Sequence, residues 1–204
     1  EKSDMEKMRI EVNHIARVEG HGHLVIDVKN GKLEECRLDI VESPRFFENM
    51  LVGRTWKEAH TITSRICGIC SIGHTLTSLK ATEAAMGVSV SEQTVLLRKL
   101  LLHAETLQSH ILHVYFLAAP DLFGAGSVIP LAEKQPEVVH RALRLKKIAN
   151  EICDRIGGRT THPVSCTVGG FSKVPDKESM RELREIIYLA LPDLHETVTL
   201  FAKL

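Results

Sequence analysis

The sequence has few aromatic residues, no net charge, little cysteine and no long uninterrupted apolar run. Aromatic side chains make up 4% of its 204 residues, too few for a base-stacking surface that would hold single-stranded nucleic acid. Lys and Arg (26) balance Asp and Glu (26), so no overall field draws the chain toward nucleic acid or an anionic membrane. The longest apolar region, 96–119, is broken by Arg98, Lys99, His103, Glu105 and His110, which argues against a direct membrane span. The opening residues are charged and no short apolar core follows them, so no secretory leader is expected and the cytoplasm is the default compartment. Five cysteines are an odd number and cannot form a complete disulfide framework within the chain. Cys36, Cys153 and Cys166 are dispersed and read as small buried side chains, which leaves Cys67 and Cys70 as the pair close in sequence.

What is present suits a globular protein. A hydrophobic fraction of 44% and a charged fraction of 25% support one domain with a substantial core, or two small ones. Residues 23–28 and 33–40 alternate apolar and polar around Asn30-Gly31, a tight-turn signal, and predict a hairpin. Leu24, Ile26 and Val28, with Cys36, Leu38 and Ile40, should form its buried face. Ser43-Pro44 opens a short helix running to Gly53, and a second starts at Thr55 with Trp56, Ala59 and Ile62. The stretch 64–74 is too short and too rich in small residues for a regular element. Helices then dominate: Thr75–Met86 closed by Gly87, and a long one capped by Ser91 and stopped near Pro120. The long helix has apolar positions most of the way round, the pattern of a helix buried among others. Another runs from Pro136 to Gly157-Gly158, and a last one is capped by Asp176 and bent at Pro192. The long loop 159–174 is expected to be functional or at an interface. The apolar helical spacing of Leu191, Leu194, Val198 and Phe201 persists almost to Leu204 without a cap, so a continuation of the chain is expected. The expected fold is α+β: an antiparallel β segment over 1–42, then a mainly helical bundle over 43–204, forming one structural unit.

Chemistry centres on Cys67-Gly68-Ile69-Cys70. Two thiols at this spacing can converge on one metal ion or oxidise to each other, and Cys70 stands just before a helix start, where the dipole favours a thiolate. By spacing alone the pair fits half a zinc site, part of an iron–sulfur site, a redox dithiol, or a structural role. A zinc site lacks a second ligand pair at finger-like spacing. A thioredoxin-like site needs a βαβ context that a helical array does not provide.

Arg17-Val-Glu-Gly-His21, then Arg45-Phe-Phe-Glu48, then Arg65-Ile-Cys-Gly-Ile-Cys70 with His74, follow one another in an order and spacing that resembles the large (catalytic) subunit of nickel–iron hydrogenases. The likeness continues through Gln108-Ser-His110, Pro120-Asp121, Gly157-Gly-Arg-Thr-Thr-His-Pro163 and Gly169-Gly170, nearly the whole chain. It implies that Cys67 is a terminal nickel ligand and that Cys70 bridges nickel to an iron carrying cyanide and carbon monoxide. It implies that His74 donates a hydrogen bond to a bridging sulfur, and that Glu48 lies near a magnesium-type ion. Glu19 matches the family's proton-carrying glutamate, in a mostly buried place where a raised pKa suits a relay.

The implied reaction is reversible heterolytic cleavage of dihydrogen, with electrons leaving to iron–sulfur clusters of a small subunit. Further electron-carrier subunits and maturation proteins complete the expected partners. Ser109, where membrane-bound uptake enzymes place an aspartate, draws the resemblance toward cytoplasmic hydrogenases linked to soluble carriers: nicotinamide, a deazaflavin, ferredoxin or a heterodisulfide partner. The family's second cysteine pair has no match here, so the chain is expected to be an amino-terminal part that cannot complete the metal centre alone. Other readings are an inactive apo fragment that binds the small subunit or a chaperone, a complex-I-like electron-transfer relative, and a dithiol oxidoreductase. Retention of Cys67 and Cys70 speaks against the complex-I-like case.

Overall fold

The alternating residues near the start pair into a three-stranded antiparallel sheet. In the computed structural model, which describes residues 7–204, strands β1 (Lys7–Val12), β2 (Gly22–Lys29) and β3 (Lys32–Ile40) lie in sequence order. Asn30 and Gly31 both adopt positive φ (52° and 71°), as the tight β2–β3 turn requires. The register sets Leu24 opposite Leu38 and Ile26 opposite Cys36, so the expected apolar face exists, and β1 adds Ile10 and Val12 to it. Its burial differs from expectation: Leu38 is 56% exposed, Ile40 is 65% exposed, and Cys36 is exposed rather than buried. Deeper burial falls on the opposite face, where Val25 is fully buried between its cross-strand neighbours Glu11 and Arg37. Long charged side chains can cover an apolar neighbour with their stems while their heads stay wet. Charged groups on this face also pair with one another, Arg9 with Asp27 across β1 and β2 at 2.9 Å and Arg37 with Asp39 along β3 at 3.0 Å.

By internal contacts the chain divides into Glu1–Phe46, which holds this sheet, and Phe47–Leu204, which is helical. Helix α1 (Pro44–Leu51) spans the division, and α2 (Trp56–Thr63) follows, with the Glu58 carboxylate accepting hydrogen bonds from the Thr55 backbone N–H (3.0 Å) and hydroxyl (2.9 Å). A 3₁₀ turn, Ser64–Ile66, leads to the cysteine loop. Beyond it come α3 (Ser71–Met86), α4 (Glu92–Ile111), a π-helical stretch (Leu112–Ala118), α5 (Ala119–Leu122), α6 (Val128–Lys134) and α7 (Pro136–Gly157). A minimal hairpin, β4 (Cys166–Thr167) and β5 (Gly170–Phe171), sits within the long loop before α8 (Lys177–Phe201).

Local signals place most of these ends. Ser91 Oγ accepts from the Thr94 N–H, Asp176 accepts from the Ser179 N–H, and Gly87 and Gly158 close α3 and α7 in the left-handed conformation. The long helix does not stop at Pro120. Its register widens to π over Leu112–Ala118, where the Ala119 N–H reaches back to the Val114 carbonyl, and Pro120 enters a fresh turn. Proline forbids an ordinary i→i−4 turn, and a widened register is one way to pass it.

The core gathers Leu76 and Leu79 of α3, Leu97 and Leu101 of α4, Ile152 and Ile156 of α7, and Leu183 of α8. Burying one such side chain stabilises the fold by about 1.5–3 kcal/mol. A second cluster holds Tyr115, Ala142 and Leu145, with Tyr115 edge-on to Phe201 at 5.5 Å. Helix α4 is not buried all round: Leu96 is 58% exposed, while the buried stripe of α4 includes Arg98, Glu105 and Gln108. Helix α8 runs on through Pro192. Among the described residues, no helix is long and apolar enough to cross a membrane.

Candidate metal centre

The four-residue run from Cys67 to Cys70 cannot be helical because Cys67 is extended (φ −146°, ψ 137°), so the chain turns back on itself there. The two Cα atoms are 5.4 Å apart and the sulfurs are bonded to each other as a disulfide. The Cys70 N–H donates to Cys67 Sγ at 3.1 Å. Both cysteines are half-buried, as is His74, one turn into α3, whose N–H bonds the Cys70 carbonyl at 3.2 Å.

Helix α3 starts at Ser71, slightly ahead of the expected start at 73–75, and its cap comes from outside. Glu105, buried on α4, accepts from the Ile72 N–H at 2.6 Å and the Gly73 N–H at 2.9 Å. Burial pushes its carboxyl above the ordinary range, more than the two N–H donors draw it down. The other tie comes from the loop after α7. The His162 N–H donates to Ser71 Oγ at 2.9 Å, and His162 Nδ1 lies 2.8 Å from the Ser64 carbonyl. A carbonyl only accepts, so Nδ1 is assigned the proton. His162 therefore bridges the residue entering the cysteine turn and the residue leaving it, and it takes a left-handed backbone (φ 56°) to do so.

The chemistry of this donor set fits a soft metal held by two thiolates. Among the described residues no three His, Cys, Asp or Glu side chains converge on one point, so the pair supplies two donors and not a full coordination shell. Glu48 lies exposed on α1. Glu19 is exposed on the β1–β2 connection rather than mostly buried, at the edge of a surface hollow of about 200 Å³ that also takes in Val18 and Glu42. The other cysteines of the helical unit are unlike the pair: burial pushes the Cys153 and Cys166 thiols up to about 11, where they stay protonated at neutral pH. Reading along the sequence missed Glu105, and it placed His162 in a resembling motif without its tie to Ser64 and Ser71. Glu105 registered as an interruption of an apolar helix, yet a charge inside a buried stripe signals a partner.

Comparison with known proteins agrees over both units. The family described as nickel-dependent hydrogenase matches residues 45–139, and one described as HoxL-like matches residues 9–43. The sulfhydrogenase 2 subunit alpha of Pyrococcus furiosus is 39% identical over 178 residues, which are 87% of this chain and 43% of that protein. The chain thus spans less than half the length of this relative. An NAD+-reducing [NiFe]-hydrogenase in the H2-reduced state superposes with a TM-score of 0.74 at 30% identity, covering 96% of this chain and 47% of that one. The reduced Ni-Fe-Se hydrogenase of D. vulgaris Hildenborough gives a TM-score of 0.76 at 28% identity, covering 97% and 46%.

Proposed function

The chain belongs to the nickel-dependent hydrogenase family, and we propose that it forms the nickel-holding part of a hydrogenase catalytic subunit, with Cys67 and Cys70 as two of the sulfur ligands. The observation that carries this reading is the convergence of the two sulfurs in a turn that Glu105 and His162 pin from separate elements. A site held this way pays its ordering entropy during folding, before any metal binds. Nickel and an iron bearing cyanide and carbon monoxide, when bound, supply reversible heterolytic cleavage of dihydrogen. Cys67 would hold nickel, and Cys70 would hold nickel together with iron. Their soft sulfurs tolerate shifts of electron density that harder oxygen donors do not.

The protein's own groups divide the remaining work. His74, rigidly placed one turn past Cys70, orients and hydrogen-bonds a sulfur. Glu19 takes protons outward, and its exposed position suits the solvent end of such a route. Glu48 contributes a hard oxygen to a magnesium-type ion. Electrons pass to iron–sulfur clusters of a small subunit, since the cysteines other than Cys67 and Cys70 are dispersed and gather into no cluster-binding set among the described residues. A soluble electron-carrier subunit and a cytoplasmic location complete the proposal, on the strength of Ser109. The test is metal analysis of the full-length subunit in its complex. Cys67→Ser and Cys70→Ser should each abolish nickel incorporation, and normal nickel in either variant removes that residue from the ligand set.

The disulfide between Cys67 and Cys70 favours one second reading, a redox-active dithiol. That reading predicts two titratable thiols that cycle in the assembled, nickel-loaded protein, whereas metal ligands are shielded there from alkylation until the metal is removed.

A further inference from the structure

A helix has orphan N–H groups in its first turn, and the side chain of the residue before it commonly accepts from the second or third of them. In α3 that preceding residue is Cys70, and the two N–H groups are those of Ile72 and Gly73. Both are already taken, by the two carboxylate oxygens of Glu105 at 2.6 Å and 2.9 Å, and the Cys70 side chain makes no capping bond. Gly73 belongs to the same device. A Cβ at that position would lie 3.3 Å from Glu105 Oε2, so a side chain there would crowd the carboxylate. Glycine in a first helical turn otherwise weakens the helix.

We propose that Glu105 is a positioning residue that caps α3 in place of Cys70 and so leaves the Cys70 sulfur free for the metal. Without Glu105 the Ile72 and Gly73 N–H groups lose their acceptor, and the Cys70 side chain, at the N-cap position, is the group that would turn back onto the helix to replace it. The proposal rests on the reading of Cys67 and Cys70 as nickel ligands, and it adds a group that is neither a ligand nor in the family motifs that point to the site. Losing the partner that orients a metal ligand lowers metal affinity about 10–100-fold.

The experiment measures Ni²⁺ binding to the full-length, reduced, metal-free large subunit through the thiolate-to-nickel charge-transfer band. Wild type is compared with Glu105→Gln and Gly73→Ala. Glu105→Gln keeps the shape but offers one acceptor oxygen for two N–H groups, and it should weaken Ni²⁺ binding at least tenfold and shift the band. Gly73→Ala keeps the carboxylate and strengthens the helix, so a purely structural role for this contact predicts unchanged or tighter binding. The proposal predicts weaker binding, with a band shifted in the same direction. Wild-type affinity and band in both variants overturn it. A wild-type protein that gives no thiolate-to-nickel band overturns the ligand reading, and this proposal with it.

Discussion

The pair formed by Glu83 of α3 and Arg98 of α4 gives the sharpest test of how the helical unit is held together. Arg98 Nη1 and Nη2 donate to the two Glu83 oxygens at 2.8 Å and 2.7 Å, with both side chains less than a tenth exposed. The same groups reach the β4–β5 turn: Arg98 donates to the Thr167 carbonyl at 3.0 Å, and Glu83 accepts from the Gly169 N–H at 2.9 Å. Replacing Arg98 by Met fills much of the same volume but strands a buried carboxylate. Breaking a buried pair from one side costs about 3–5 kcal/mol, whereas replacing both partners by apolar residues is often close to neutral. At a urea dependence of about 2–3 kcal/mol per M, Arg98→Met should lower the unfolding midpoint by roughly 1–2.5 M at neutral pH. A Glu83→Met/Arg98→Met double variant should lose less than the two single losses summed.

The pH dependence has a definite sign. Hydrogen bonds from Arg98 are the largest cause holding the Glu83 carboxyl below its ordinary range. Its stabilising contribution is therefore complete above the unfolded carboxylate pKa of about 4.3 and is lost as pH falls through the depressed folded value. In Arg98→Met the lone carboxyl is pushed upward by burial, so the deficit relative to wild type should narrow as the solution is acidified. Urea titrations read by far-UV circular dichroism at two pH values measure both effects. A loss under about 1 kcal/mol at neutral pH, the worth of an exposed pair, would refute the claim that this pair is desolvated and pins the hairpin.

Other consequences can be checked alongside. Gly158→Ala forces a Cβ into a left-handed residue (φ 75°), 2.5 Å from Ser165 Oγ, and should cost at least about 1–2 kcal/mol, a thermal midpoint lower by roughly 2–8 °C; an unchanged midpoint contradicts the geometry. His162→Ala should cost about 1 kcal/mol and speed amide exchange across 67–70 more than in the core of α7. His162→Asn, which tolerates the left-handed backbone, separates the lost hydrogen bond from backbone strain, and wild-type exchange in both variants would remove His162 from the clamp. Under the proposed function, Glu19→Gln in the full-length protein in its complex should retain metals but slow hydrogen–deuterium exchange, and an unchanged rate removes Glu19 from the proposed proton route.

Features legible in the sequence were those carried by neighbouring residues. Asn30-Gly31, the caps at Ser91 and Asp176, and the closing glycines Gly87 and Gly158 each state their own conformation through local chemistry, and the structure has them where expected. The segment around Cys67 and Cys70 stood out through its resemblance to a family, whereas its spacing alone left several chemistries open. The cap of α3 was not legible, because it stands 33 residues away on another helix. Nor was the passage through Pro120, since nothing local distinguishes a helix that stops before proline from one that widens its register to accommodate it. The exposed β3 face shows a third limit: alternation identifies which residues share a face but not whether anything covers it. His162 lay in a loop judged important by its length, and only the fold brings it against Ser64 and Ser71.

The central claim is that nickel is bound through the sulfurs of Cys67 and Cys70. Nickel-edge X-ray absorption on the full-length subunit in its complex measures this directly, comparing wild type with Cys67→Ser and Cys70→Ser. The account predicts nickel stoichiometric with the chain and a sulfur-rich shell in the wild type, and nickel lost, or a shell with sulfur replaced by oxygen, in each variant. Stoichiometric nickel with an unchanged sulfur shell in both variants would contradict it.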